Sequence, residues 1–271
     1  MTRPVNRRAS AALLLMVGAA ACGGYEQNVI QSITAPLPGS FIRFANFSVG
    51  APGVNFYAND AKMTAIGTTA CSPAPTIPNP ACAGAGVEST TGTAAGAYAT
   101  SSVGLYSAIA PGAYTVSGRI AAAIDKDLQI SKASTTIENG KYYTYYQSGI
   151  YDPAGKTSES FIVEDPIPAF DYTQAYVRLV NAVSTSQPVI LYAKNQTTGT
   201  EVAIGGTIAY KGAGTFVTVP AGIYDLSTRL PGSATSIITR WGVTFDPKRV
   251  YTVTQRAATT TTVALDNTTN R

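Results

Sequence analysis

The chain carries one pattern twice, and that duplication limits what it can fold into. Arg43-Phe44-Ala45-Asn46 returns as Arg178-Leu179-Val180-Asn181, and Tyr57-Ala58 as Tyr192-Ala193, both 135 residues later. Pro111-Gly112-Ala113-Tyr114, with Arg119 beyond it, returns as Pro220-Ala221-Gly222-Ile223-Tyr224, with Arg229 at the same distance from its tyrosine. Lys141-Tyr142-Tyr143-Thr144 returns as Arg249-Val250-Tyr251-Thr252. The offset falls from 135 to 110 between the first two groups, so the first copy holds about 25 extra residues between Asp60 and Pro111. Each copy is of domain length.

Within each copy the pattern is one of short strands. The segments 41–47, 54–58, 114–120, 142–147, 177–182, 189–193, 216–219, 224–230 and 250–255 alternate apolar and polar residues. They are rich in Val, Ile, Thr, Tyr and Phe, and Gly, Pro, Asn or Asp bound them. Period-two alternation predicts that one face packs while the other meets water. Only 121–128 could form a helical turn or two. This predicts an all-β chain of two tandem antiparallel sandwiches. Domain 1 is expected over 41–165, with an insertion at about 61–104, and domain 2 over 175–267. Asp165-Pro166-Ile167-Pro168 breaks regular structure between them.

The turn elements look familiar. Val219-Pro220-Ala221-Gly222-Ile223-Tyr224, preceded by Val177 to Ala182 and followed by Val250-Tyr251-Thr252-Val253, resembles the bacterial family catalogued as domain of unknown function 4397. The first copy shows the turn as Ala110-Pro111-Gly112-Ala113-Tyr114. A His-Ala-Ser-Pro-like run that members carry is degraded here to Asn46-Phe47-Ser48 and Asn181-Ala182-Val183. The resemblance covers nearly all of 41–266. It implies immunoglobulin-like sandwiches in secreted, often lipid-anchored proteins, and it implies no mechanism. Physically, Pro and Gly suit a tight turn, with Gly permitting positive φ. Tyr114 and Tyr224 can pack their rings on the core and bond through their hydroxyls at its edge.

The N-terminus reads as an export signal. Arg3, Arg7 and Arg8 precede the apolar run 11–17, then small residues and Cys22. The run is too short to span a bilayer as a helix. Ala19-Ala20-Ala21-Cys22 resembles the lipobox of bacterial lipoproteins, with Ala19 where Leu is usual. That implies a signal peptide over 1–21 and acylation of Cys22 by chains of the palmitate kind. An ordinary secretory signal cut near Ala21 is the alternative. Gly23, not Asp, follows the cysteine, which is compatible with transfer to the outer membrane. Residues 22–40 read as a flexible tether. Of three cysteines, Cys71 and Cys82 then remain, and an oxidising compartment favours their disulfide. So small a loop would stabilise by ~2–3 kcal/mol in the chain-entropy model.

Charge and composition exclude several chemistries. Without the signal, 16 Lys+Arg face 15 Asp+Glu, and no basic tract points to nucleic acid. There is no histidine, which removes His-based nucleophile activation, general bases and metal sites. Two remaining cysteines do not make a zinc site. Gly149 and Gly155-Lys156-Thr157 have the wrong spacing for a phosphate loop. Asp125-Lys126-Asp127 lacks the rest of a calcium loop and reads as a solvated turn. Glu164, Asp165 and Asp152 could form a weak calcium site at the junction. Neither catalytic residues nor a cofactor is predicted.

The unusual local feature is Tyr142-Tyr143-Thr144-Tyr145-Tyr146. Tyr143 and Tyr145 share one face of a strand, and Tyr142 and Tyr146 the other. One set is expected in the core. The other forms either an exposed binding strip or plain cross-strand pairs. Trp241 is expected in the second core. The function expected is a non-enzymatic envelope lipoprotein, anchored by lipid on Cys22, that binds an extracytoplasmic protein or glycan. The alternatives are a glycan hydrolase using two carboxylates across a cleft and a passive spacer.

Overall fold

The structure is a computed structural model that describes residues 39–64, 91–99, 106–169 and 171–270. Cys22, Cys71, Cys82, the signal, most of the tether and most of the insertion lie outside the described residues.

The described chain is all β, with seventeen strands and no helix. The first half contributes β1 (Ser40–Asn46), β2 (Val54–Ala58), β3 (Ala61–Lys62), β4 (Ala97–Tyr98), β5 (Ser107–Ile109), β6 (Gly112–Ile120), β7 (Gln129–Ile137), β8 (Tyr142–Asp152) and β9 (Thr157–Glu164). The second contributes β10 (Gln174–Ala182), β11 (Val189–Asn195), β12 (Glu201–Ile208), β13 (Val217–Pro220), β14 (Gly222–Arg229), β15 (Ser236–Phe245), β16 (Val250–Ala257) and β17 (Val263–Thr269).

Each half is a pair of sheets. In the first, β4-β1-β8-β9, with β5 also on β1, faces β3-β2-β6-β7. In the second, β13-β10-β16-β17 faces β12-β11-β14-β15. Strand for strand the two orders match, and so do registers: Arg43 lies beside Thr144 as Arg178 lies beside Thr252, and Asn46 beside Gln147 as Asn181 beside Gln255. The cores are the alternate residues facing inward. Ile42, Phe44, Phe56, Val116 and Tyr145 fill the first, and Val177, Leu179, Leu191, Leu226 and Phe245 the second.

Four features depart from the sequence reading. The sheets are mixed, because β1 runs parallel to β8, and β10 to β16. β1 and β10 open their halves and β8 and β16 come next to last, so no hairpin forces them antiparallel. Residues 121–128 form turns, with Asp125 and Asp127 at φ 59° and 63°. Strands β3, β4, β5, β7, β12, β15 and β17 were not expected. All seven have a single strand neighbour, and short length or partial exposure blurs the alternation there.

The fourth departure positions the candidate site. The faces of β1, β8, β10 and β16 expected to meet water are buried as well. Ala45, Phe47, Tyr146, Phe161 and Val163 of the first half cluster with Val180 and Ala182 of the second. The four strands are therefore central in both directions. All of this lies in one compact unit from Pro38 to Arg271.

Candidate functional site

The junction between the halves holds the most concentrated polar chemistry among the described residues. Arg43 on β1 and Arg178 on β10 occupy equivalent places in the duplication, and both side chains are fully buried. Each donates through Nε to the threonine beside it in register: Arg43 to Thr144 Oγ1 at 2.7 Å, Arg178 to Thr252 Oγ1 at 3.2 Å. Asp165, the first residue after β9, enters between them. Arg178 Nη2 donates to its Oδ1, and Arg43 Nε lies 3.9 Å from its Oδ2. Oδ2 also accepts from Thr144 at 2.5 Å and from the Tyr106 hydroxyl at 2.6 Å. Arg178 Nη1 bonds the Glu164 carbonyl at 3.0 Å.

One carboxylate thus serves two guanidiniums, all three side chains being buried. Arg43 Nη1 and Nη2 have no hydrogen-bond partner among the described residues. The rings of Tyr98 and Tyr106 lie 5.2 and 5.0 Å from its guanidinium carbon and offset part of that cost through their π faces. Phe216 does the same for Arg178 at 4.7 Å. Burial pushes the Tyr106 hydroxyl well above its usual range, against the pull of Arg43. Asn270 Nδ2, just past β17, donates to the same hydroxyl at 3.0 Å. Tyr98 with Thr254 (3.1 Å) and Ser148 with Tyr210 (2.8 Å) add hydrogen bonds between the halves.

The tyrosine run serves this architecture. Tyr143 and Tyr145 lie in the first core, as their parity predicts. Tyr145 donates to Ser131 at 2.8 Å, and burial pushes its pKa up to about 12. Tyr146 is buried in the junction, stacked on Phe161 at 5.0 Å. Tyr142 is half-buried, stacked on Phe41 at 4.8 Å. The exposed strip is therefore corrected: the face it would have occupied packs against the other half. Trp241 is corrected in the opposite direction, being 73% exposed on β15.

The turn markers have the structural role expected of them, with one change. Tyr224 is buried against Phe245, and its hydroxyl donates to the Pro220 carbonyl at 2.8 Å. Tyr114 packs, half-buried, on the first core. Pro111 and Pro220 are exposed where β6 and β14 begin with Gly112 and Gly222. Gly222 is not at positive φ. A Cβ there would lie 3.1 Å from Asn195 Nδ2, so close approach explains this glycine.

The repeated outer residues also meet. Arg119 lies 4.3 Å over the Tyr57 ring and pairs with Asp60, while Arg229 lies 4.4 Å over Tyr192 and pairs with Glu201. These are clips across the outer sheets, each worth about 0.5–1 kcal/mol.

The acids proposed for calcium do not converge. Asp165 is held by arginine, Glu164 binds Lys141, and Asp152 bonds the Ala154 amide in its own turn. Among the described residues no group of three or more Cys, Asp or Glu could hold a metal. A shallow open hollow of about 480 Å³ on the first outer sheet is lined by Asn59, Tyr114 and the hydroxyls of neighbouring Thr and Ser residues, without a carboxylate.

The fold and junction define an all-β chain of paired sheets fastened by a shared buried ion network. No protein-family model matches it, and no curated protein does either. Among solved structures, a leucine-rich repeat protein from Bacteroides thetaiotaomicron is similar at 12% identity, with 80% of this chain aligned to 26% of that one and a TM-score of 0.18. The chain therefore spans about a quarter of that protein's length. An overlay that poor adds nothing to the fold described above.

Proposed function

We propose that this chain is an exported, non-enzymatic lipoprotein related to the domain of unknown function 4397 family. Lipid on Cys22 holds it to the outer membrane. Its two immunoglobulin-like sandwiches are presented as one body to an extracytoplasmic protein or glycan.

The observation that carries this reading is where the buried polar groups are used. Asp165, the fully buried carboxylate among the described residues, is taken up by two arginines and two hydroxyls. Other acids lie in surface pairs, such as Glu159 with Lys211 and Asp125 with Lys156. A glycan hydrolase needs two carboxylates facing one another across a cleft. Fastening the halves together suits presentation of fixed outer surfaces.

The test is expression of the full chain and of Cys22→Ser in a Gram-negative host. The parent should fractionate with the outer membrane and yield an acylated N-terminal cysteine peptide by mass spectrometry, while the variant becomes soluble. Equal solubility of both forms would overturn the anchor. Release of reducing sugar from envelope glycans by the pure protein would overturn the non-enzymatic assignment.

A further inference from the structure

We propose that Trp241 and Asp225, on the outer face of the second half, form a glycan-binding platform for pyranose rings of the glucose or N-acetylglucosamine type. This deepens the binding reading above and rests on it.

The argument starts from a difference between the copies. In the first half, β6 and β7 pair without interruption at this level, Tyr114 with Thr135, Thr115 with Ser134 and Val116 with Ala133. In the second, β14 and β15 pair Tyr224 with Val243 and Leu226 with Arg240, leaving Trp241 and Gly242 together opposite Asp225. That is a β-bulge, and Gly242 at φ 67° supplies the left-handed residue it requires. The fold does not demand it, since the first copy closes the same sheet with a Thr115–Ser134 hydroxyl contact of 3.1 Å. Its effect is to turn the chain's single tryptophan outward beside a carboxylate.

The polar groups opposite Trp241 in register are held in place. Asp225 Oδ1 accepts from Gln196 Nε2 at 2.6 Å and from the Gly242 amide at 3.1 Å. These bonds fix the carboxylate on the outer face and leave Oδ2 without a hydrogen-bond partner among the described residues. Lys194 stands directly across from Asp225 in register. Trp241 is the most exposed large apolar side chain of this sheet, at 73% against 38–45% for Val202, Ile223 and Ile237, and the strand positions across from it carry an acceptor, an amide and an ammonium. A pyranose with equatorial hydroxyls matches this pattern. Its C–H face is apolar and fits the indole, while its rim carries donors for Oδ2 and acceptors for Lys194.

The test uses the full chain, whose one tryptophan makes indole fluorescence report on this site alone. It is titrated with chitohexaose and with cellohexaose, and binding is checked by calorimetry. A saturable change with either sugar is expected. Trp241→Ala should weaken the calorimetric affinity at least about tenfold (about 1.4 kcal/mol), Asp225→Asn should weaken it less, and Trp241→Phe should retain part of it. Being exposed, Trp241 can be replaced without touching the core. No response to either sugar, or equal affinity in Trp241→Ala, overturns the platform. A parallel pull-down on purified peptidoglycan sacculi separates the two levels of failure. Retention of parent and Trp241→Ala alike sinks this site and leaves the broader reading standing, whereas retention of neither, with no sugar response, removes glycan binding from both.

Discussion

Replacing Asp165 by alanine removes the acid that two buried guanidiniums share. Arg43 and Arg178 have no route to water from positions this buried, and the Thr144 and Tyr106 hydroxyls lose their acceptor. Breaking a buried pair by deleting one partner costs about 3–5 kcal/mol, since the remaining charge is stranded. Against a usual stability of roughly 5–15 kcal/mol, that is a large fraction. At about 2–4 °C per kcal/mol for a chain of this size, the midpoint should fall by about 10 °C. Thermal unfolding followed by far-UV circular dichroism is the suitable assay, because Trp241 is already exposed in the folded chain and its emission would change little. The parent should unfold in one transition and Asp165→Ala in two, as the halves lose their fastening. Replacing the whole network, with Asp165→Leu, Arg43→Met and Arg178→Met together, should recover most of the loss, because apolar substitutes for buried ions are often neutral or better. A loss below about 1 kcal/mol in Asp165→Ala, the worth of one ordinary hydrogen bond, would refute the account.

Three further outcomes are expected. Gln147 is bonded at both ends, to Asn46 and Ser131, whereas its counterpart Gln255 is buried with neither end bonded among the described residues. Thermal denaturation should therefore show Gln147→Leu losing about 1–3 kcal/mol and Gln255→Leu losing nothing or gaining. Burial pushes the Tyr145 hydroxyl up to about 12, above the ordinary tyrosine range. Its contribution to stability is full below the unfolded pKa and is lost as pH rises through the folded one. Absorbance at alkaline pH should show a late set of tyrosines that titrate together with unfolding, and smooth early titration of them all would contradict the burial. The native emission maximum should lie close to that of free tryptophan, and a strongly blue-shifted maximum would place Trp241 in a core after all.

Sequence alone determined the β class, the paired motifs of the duplication and the parity of the tyrosine run. These depend on side-chain alternation and turn chemistry, which are local and written residue by residue. It could not determine what covers the second face of a strand. Arg43, Arg178 and Tyr146 alternate as residues bound for water would, and only the packing of one half on the other buries them. Nor could it announce that Asp165, in a stretch that reads as a linker, would sit between two arginines 122 and 13 residues away. Trp241 failed in the reverse sense. Hydrophobicity argued for a core, but a one-residue bulge turned the side chain outward, and a bulge depends on the partner strand's register. Composition can state that a residue prefers to be buried, while tertiary structure decides whether a neighbour arrives to bury it.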